Sequence, residues 1–170
     1  MLPVMITSKQ RPDPQKSLVG FAVGEVCYAV PIGCVKEIIN PITLTRLPYA
    51  PAAISGVVDH RGEVVPIVDL RARFGMGQFE ERRRTKWILV DVGGRSIGLI
   101  VDKVIGVFGT GGRSLRAAPH LGGGEDVRGI AGVTSHDGAM VFVLDIERFE
   151  SLVEGLQLDQ LQLPAGGAKG

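Results

Sequence analysis

Between residues 17 and 150 the chain is a succession of short apolar runs, broken by turn residues every eight to twelve positions, the spacing of a β-barrel or sandwich. The runs predict strands at Leu18–Val23, Val26–Val30, Gly56–Asp59, Glu63–Asp69, Lys86–Val92, Ser96–Val101, Lys103–Phe108, Val127–Val133 and Ala139–Asp145. Turns are expected at Val23-Gly24-Glu25, Arg61-Gly62-Glu63, Gly93-Gly94 and Asp137-Gly138, with the Asp-Gly pair the strongest hairpin signal. Helix is scarce. Ile32 to Ile39 reads as a short helical turn after Pro31, stopped by Asn40-Pro41. A helix is expected near the C-terminus, where Phe149, Leu152, Val153 and Leu156 recur at helical spacing ahead of Pro164.

The pattern repeats internally. Residues 56–70, GVVDHRGEVVPIVDL, and residues 132–146, GVTSHDGAMVFVLDI, share six of fifteen positions: Gly56/Gly132, Val57/Val133, His60/His136, Gly62/Gly138, Val65/Val141 and Asp69/Asp145. Upstream, FAVGEVCYAV (21–30) echoes VDVGGRSIGL (90–99). Units of about 17–85 and 86–150 are each too small to bury much core alone. Packed face to face they imply two small barrels with a groove between them, a place where partners dock. Residues 1–16 and 164–170 lack periodicity and read as a mobile N-terminal tail and a loose C-terminal end, so that 151–170 is C-terminal helix followed by flexible tail.

Composition narrows the function. Aromatics are only 5% of the 170 residues, so Val, Ile and Leu must build the core, and their branching favours strands. Nineteen Lys and Arg against eighteen Asp and Glu leave a net charge of +1, too little to draw nucleic acid or an anionic membrane. No apolar run approaches a membrane span and no leader pattern precedes Thr7-Ser8-Lys9, so a cytoplasmic protein is expected, with no direct membrane insertion. Cys27 and Cys34 lie in apolar stretches outside any C-x-x-C spacing and read as buried, reduced thiols.

The chemistry of catalysis is missing. His60 and His136 occupy the same turn position of the two repeats, which fits a structural role better than an acid–base pair needing unlike environments. Neither these nor His120 sits in a zinc pattern, and no metal or cofactor is expected. The glycine stretches 109–112 and 122–124 match no phosphate loop, and no G-x-S-x-G elbow is present. Asp69 and Asp145 follow apolar strands and read as caps of the helical turns beyond them. The basic run Arg82-Arg83-Arg84 lies beside Glu80-Glu81 with Trp87 its only aromatic neighbour, a solvated loop in character. Arg61, at a tight turn between apolar strands, is either a local turn residue or a guanidinium held at a groove rim for a partner.

The segment LPYAPAAISGVVDHRGEVVPIVDLRARFG (47–75) resembles the CheW coupling proteins of bacterial chemosensory arrays, and VKEII (35–39), IGLIVDKVIGV (97–107) and VFVLDIERF (141–149) match in family order. The resemblance covers about residues 17–150. It implies a mainly all-β domain of two five-stranded SH3-like barrels packed face to face, with short helical turns. It also implies a non-enzymatic adaptor that couples the cytoplasmic tip of methyl-accepting chemoreceptors to the regulatory domain of a CheA-type histidine kinase, recruited from the cytoplasm to membrane-associated arrays. By position, Val35, Glu37, Gly56, Arg61 and Gly98 would form the receptor groove, the glycines allowing close approach. Arg116 and Leu121, in the 113–121 loop, would contact the kinase. Asp59-His60 stands where the family has Asn-Leu, which suggests a carboxylate pairing with Arg61 to retune receptor choice. The rival from another class is an SH3-like barrel that binds RNA or another protein, disfavoured by near-neutral charge and few aromatics.

Overall fold

A computed structural model describes residues 17–76, 81–110, 114–117, 129–154 and 156. Ten strands form two five-stranded sheets: β1 (Ser17–Val23), β2 (Val26–Pro31), β3 (Val35–Ile39), β4 (Ile54–His60), β5 (Glu63–Asp69), β6 (Lys86–Val92), β7 (Arg95–Val101), β8 (Lys103–Gly109), β9 (Ile130–His136) and β10 (Ala139–Leu144). Among the described residues, helix is confined to α1 (Leu70–Arg73), α2 (Glu150–Glu154) and 3-10 turns at Ile32–Cys34 and Ile146–Phe149. The chain is mainly β, as its patterning predicts. The expected helical turn at Ile32 to Ile39 is corrected: only its first three residues coil, and Val35–Ile39 is a strand paired with β6. Of the start proposed for the strand at Val127, residues 127 and 128 lie outside the described residues, as do both segments read as tails, 1–16 and 164–170.

The order of strands is β8-β1-β2-β10-β9 in one sheet and β3-β6-β7-β5-β4 in the other. The two repeats therefore do not each make one sheet. Each half lends its first hairpin to the other half's last three strands, β1-β2 to β8, β9 and β10, and β6-β7 to β3, β4 and β5. Each lent hairpin is joined on one side by a parallel pairing, Ile67↔Gly98 through Asp69↔Ile100 and Val141↔Cys27 through Val143↔Ala29, and on the other by an antiparallel one, β6 to β3 and β1 to β8. The repeat is thus a geometric one, with the two first hairpins exchanged.

Each sheet also curls toward closure. Beyond edge strand β3, Thr45 bonds to Val57 on the opposite edge strand β4, its N–H donating to Val57 O and its O accepting from Val57 N, both at 2.8 Å. Beyond β8, Arg116 makes the same two-bond bridge to Val133 on β9, at 2.9 and 2.8 Å. Curling places apolar side chains on both faces of a strand in packed surroundings, which is why the runs are continuous rather than alternating. On β6, Ile88, Val90 and Val92 enter the core shared by the two sheets, while Trp87 and Leu89 turn into the second sheet's own interior with Val58, Val65, Ile67 and Ile100. The first sheet's interior holds Leu18, Ala29, Phe108, Val141 and Val143. Burying each such side chain contributes about 1.5–3 kcal/mol before chain entropy is counted.

The turns carry the repeat down to backbone angles. Arg61-Gly62 has φ of 55° and 83°, and Asp137-Gly138 has 49° and 79°, the left-handed pair that a two-residue hairpin turn requires. Asp69 and Asp145 both cap: Asp69 Oδ1 accepts from Arg71 N (2.9 Å) and Ala72 N (3.3 Å), and Asp145 Oδ1 from Glu147 N (3.2 Å). The sheets are tied by Asp102, between β7 and β8. Its Oδ2 accepts from Gly24 N of the β1-β2 turn (2.6 Å) and from Arg71 Nη2 of α1 (2.7 Å).

Candidate functional site

The site grows from the closure of the second sheet. β3 and β4 are its two edges, and curling brings the side chains of one edge against those of the other. Glu37 points from β3 toward the β4-β5 turn, where Arg61 Nη2 lies 3.1 Å from its Oε1 and 3.3 Å from its Oε2. His60 Nε2 lies 3.5 Å from the same Oε1. The left-handed turn presents Arg61 outward, 76% exposed, while Glu37 beneath it is 30% exposed. Both contacts use one guanidinium nitrogen, and the other donors have no partner among the described residues, so they are available to a carboxylate from outside.

A second polar group flanks the first. Lys36 Nζ lies 3.5 Å from Glu63 Oε1, and the Glu63 carboxylate accepts from the Ser96 amide (3.0 Å) and hydroxyl (2.8 Å). Burial pushes the Glu63 carboxyl up, but Ser96 and Lys36 together outweigh it and hold the group below the ordinary carboxylate range. Val35 and Ile38 supply the apolar edge, Val35 packing against the shared core and Ile38 standing 41% exposed.

The structure brings Val35, Glu37 and Arg61 to this seam and gives the two glycines an interior position. Both are buried. A Cβ on Gly56 would stand 2.6 Å from Thr45 O, so its absence admits the bridge that closes the sheet. A Cβ on Gly98 would stand 2.6 Å from Ile67 Cδ1 and 3.1 Å from Leu89 Cδ2, inside the sheet's own apolar filling. Arg116 belongs to the other sheet's closing bridge, its guanidinium donating to Ser135 Oγ at 3.4 Å. Leu121 and His120 lie outside the described residues.

Asp59 differs from expectation. Its Oδ1 accepts from Gly62 N at 3.0 Å, bracing the turn, and the carboxylate that meets Arg61 is Glu37. The left-handed backbone at Arg61 takes its side chain out of the strand's alternation while Asp59 turns to the Gly62 amide, and the edge-to-edge contact with Glu37 is set by curling. Sequence reasoning also missed Lys36, Ile38 and Ser96, though the alternation within VKEII carried a period-two signal for the strand that bears two of them.

The two repeated histidines prove to be seam residues. His136, on edge strand β9, stacks on Phe108 of the opposite edge β8, with ring centroids 3.9 Å apart. His60 holds the corresponding place in the second sheet, facing Glu37 instead of an aromatic ring. No group of three or more His, Cys, Asp and Glu suited to a metal ion occurs among the described residues. No helix among them is long and apolar enough to cross a membrane. Cys27 and Cys34 are free thiols, half-buried rather than fully buried as expected, because both lie toward the ends of their elements, and the partial burial, with Asp91 adding, pushes Cys34 up to about 11.

Comparison with known proteins places this architecture. The family model for the CheW-like domain matches residues 17–153. The chemotaxis protein CheW of Rhizobium meliloti is 33% identical over 132 residues, covering 78% of this chain and 85% of that protein. Protein FrzA of Myxococcus xanthus is 32% identical over 129 residues, covering 74% and 78%. The crystal structure of the scaffolding protein TtCheW from Thermoanaerobacter tengcongensis superposes with a TM-score of 0.73 at 28% identity, covering 86% of this chain and 98% of that one. With two five-stranded sheets sharing a core and a family-model match across nearly all of them, this chain belongs to the CheW-like domain family.

Proposed function

We propose that the chain is a coupling adaptor that holds the cytoplasmic tip of a methyl-accepting chemoreceptor and the regulatory domain of a CheA-type histidine kinase in one assembly. Membership of the CheW-like family supports the adaptor class, and the seam of β3 and β4 supports the receptor side. The observation that carries it is Arg61, 76% exposed at the rim of the second sheet and paired through one nitrogen with Glu37 of the opposite edge. A guanidinium exposed at the rim of a sheet suits a partner that carries an acidic residue, and exposed arginines are frequent binding hot spots. Gly56 and Gly98 act from within, keeping the sheet closed and thin enough to present that rim. Arg116 lies in the other sheet, at a separate surface for the kinase, and Leu121 is assigned there by position in the sequence alone. Signal passes by holding partners in fixed relation, with no bond made or broken, and the protein works in the cytoplasm at membrane-associated receptor arrays.

The test is a binding measurement with the purified chain, a receptor signalling fragment and the kinase regulatory domain. Arg61→Ala should weaken receptor binding by about five- to thirtyfold, the loss of a hot-spot side chain worth about 1–2 kcal/mol, and leave kinase binding unchanged. Equal loss at both partners would place Arg61 outside a dedicated receptor groove. Binding of neither partner by the unaltered chain would remove the function while leaving the fold.

A further inference from the structure

One nitrogen in the seam is out of keeping with its surroundings. His60 Nε2 is buried and has no hydrogen-bond partner, although it stands 3.5 Å from Glu37 Oε1. Buried polar atoms are nearly always bonded, and one without a protein partner asks for an explanation. The carboxylate it faces is the one that Arg61 uses through both oxygens, at 3.1 and 3.3 Å.

We propose that His60 is a positioning residue that sets, through its proton, how firmly Glu37 holds Arg61. A neutral imidazole with its proton on Nδ1 leaves Nε2 without a donor, whereas a protonated ring has an N–H on each nitrogen, so Nε2 then donates to Glu37. Glu37 is divided between two cations, and its hold on the exposed guanidinium weakens. Arg61 becomes free to meet a carboxylate on a partner, and the seam gains a positive charge.

The other charges around the ring leave Glu37 as the group that responds. On its own strand Asp59 is bonded to the Gly62 amide at 3.0 Å. Across the hairpin, Glu63 pairs with His60 in register, but its carboxylate is taken up by Ser96 of β7 and by Lys36 of β3. The equivalent residue in the other sheet behaves differently. His136 is stacked on Phe108, and the carboxylate 3.5 Å from its Nε2 is that of its own neighbour Asp137, 89% exposed and bound to no arginine among the described residues. The repeat thus supplies an internal control.

The inference rests on Arg61 being the docking residue, and the test separates the two. In the isolated full chain, the Arg61 Nε–Hε resonance and the His60 ring carbons are followed by NMR from about pH 8 to 5, the range in which histidine titrates. The Arg61 signal should move with the His60 titration in the unaltered protein and stay flat in His60→Gln. Binding of a receptor signalling fragment is then measured at the two ends of that range. Affinity should rise about two- to fivefold at the acid end, the scale of an exposed ion pair. His60→Gln should lose that rise and His136→Gln should keep it. An Arg61 signal indifferent to the His60 titration overturns the proposal, as does a pH dependence of binding that survives His60→Gln. A fragment that binds at no pH removes the docking role, and the NMR arm then decides the His60–Glu37–Arg61 exchange alone. Should circular dichroism show that His60→Gln is misfolded, His60→Asn takes its place in both arms.

Discussion

Adding a single methyl group at Gly56 tests whether the seam depends on the closing bridge. In Gly56→Ala the new Cβ would lie 2.6 Å from Thr45 O and 3.1 Å from Thr45 C, far inside ordinary contact. Both atoms are backbone, so no rotamer change relieves the clash and the strand segment must move. That movement breaks the two 2.8 Å bonds between Thr45 and Val57. Two backbone hydrogen bonds are worth about 1 kcal/mol each net. Overpacking adds about 1–3 kcal/mol. Against this, replacing glycine lowers the entropy of the unfolded chain and returns about 0.4–1 kcal/mol. The expected loss is therefore about 2–4 kcal/mol, a large part of the roughly 5–15 kcal/mol that holds a domain folded. In a urea titration with a slope of about 2 kcal/mol per molar, the midpoint should fall by about 1–2 M. Gly98→Ala is the comparison: the atoms it meets, Ile67 Cδ1 and Leu89 Cδ2, are the far ends of side chains that can turn. Its loss should stay near the lower end of the roughly 1–3 kcal/mol that overpacking costs. A Gly56→Ala midpoint within experimental error of the unaltered protein, or one less affected than Gly98→Ala, would refute the reasoning.

Asp102 joins the β1-β2 turn to α1 with its side chain only 18% exposed, so Asp102→Ala should cost about 2–4 kcal/mol in urea unfolding, more than the roughly 1 kcal/mol expected for the exposed cap Asp145→Ala. The Cys34 thiol, pushed up to about 11, should react with Ellman's reagent at about pH 8 more than roughly a hundredfold slower than a free thiol of pKa near 8.5, and full reaction within minutes would contradict its burial. Because the Glu63 carboxyl is held below its ordinary range, its contribution to stability is present at neutral pH and lost as pH falls through its folded-state value. Glu63→Gln should thus lower the urea midpoint at about pH 7 and make little difference at about pH 2.5, with an equal deficit at both pH values counting against the Ser96 and Lys36 contacts.

What the chain discloses in one dimension is what depends on near neighbours. The Arg61-Gly62 and Asp137-Gly138 turns, the caps at Asp69 and Asp145, and most of the ten strands are short-range matters of sterics and periodicity, so they are legible in sequence. The β3 segment is ambiguous there because a few residues after a proline fit one helical turn as well as one strand; only the pairing with β6, about fifty residues onward, decides it. The family resemblance marks Glu37 and Arg61 as residues of one surface, but their contact waits on curling that brings opposite edges of a sheet together. Asp59, close to Arg61 in sequence, is drawn to the turn amide instead. The exchange of first hairpins is the least legible feature of all. Because the two halves are alike, β1-β2 carries the same apolar faces as β6-β7, and patterning matches either hairpin to either set of three strands. Local preference specifies the parts and their repetition, whereas the choice between equivalent partners belongs to the shared core, which exists only when both halves are packed.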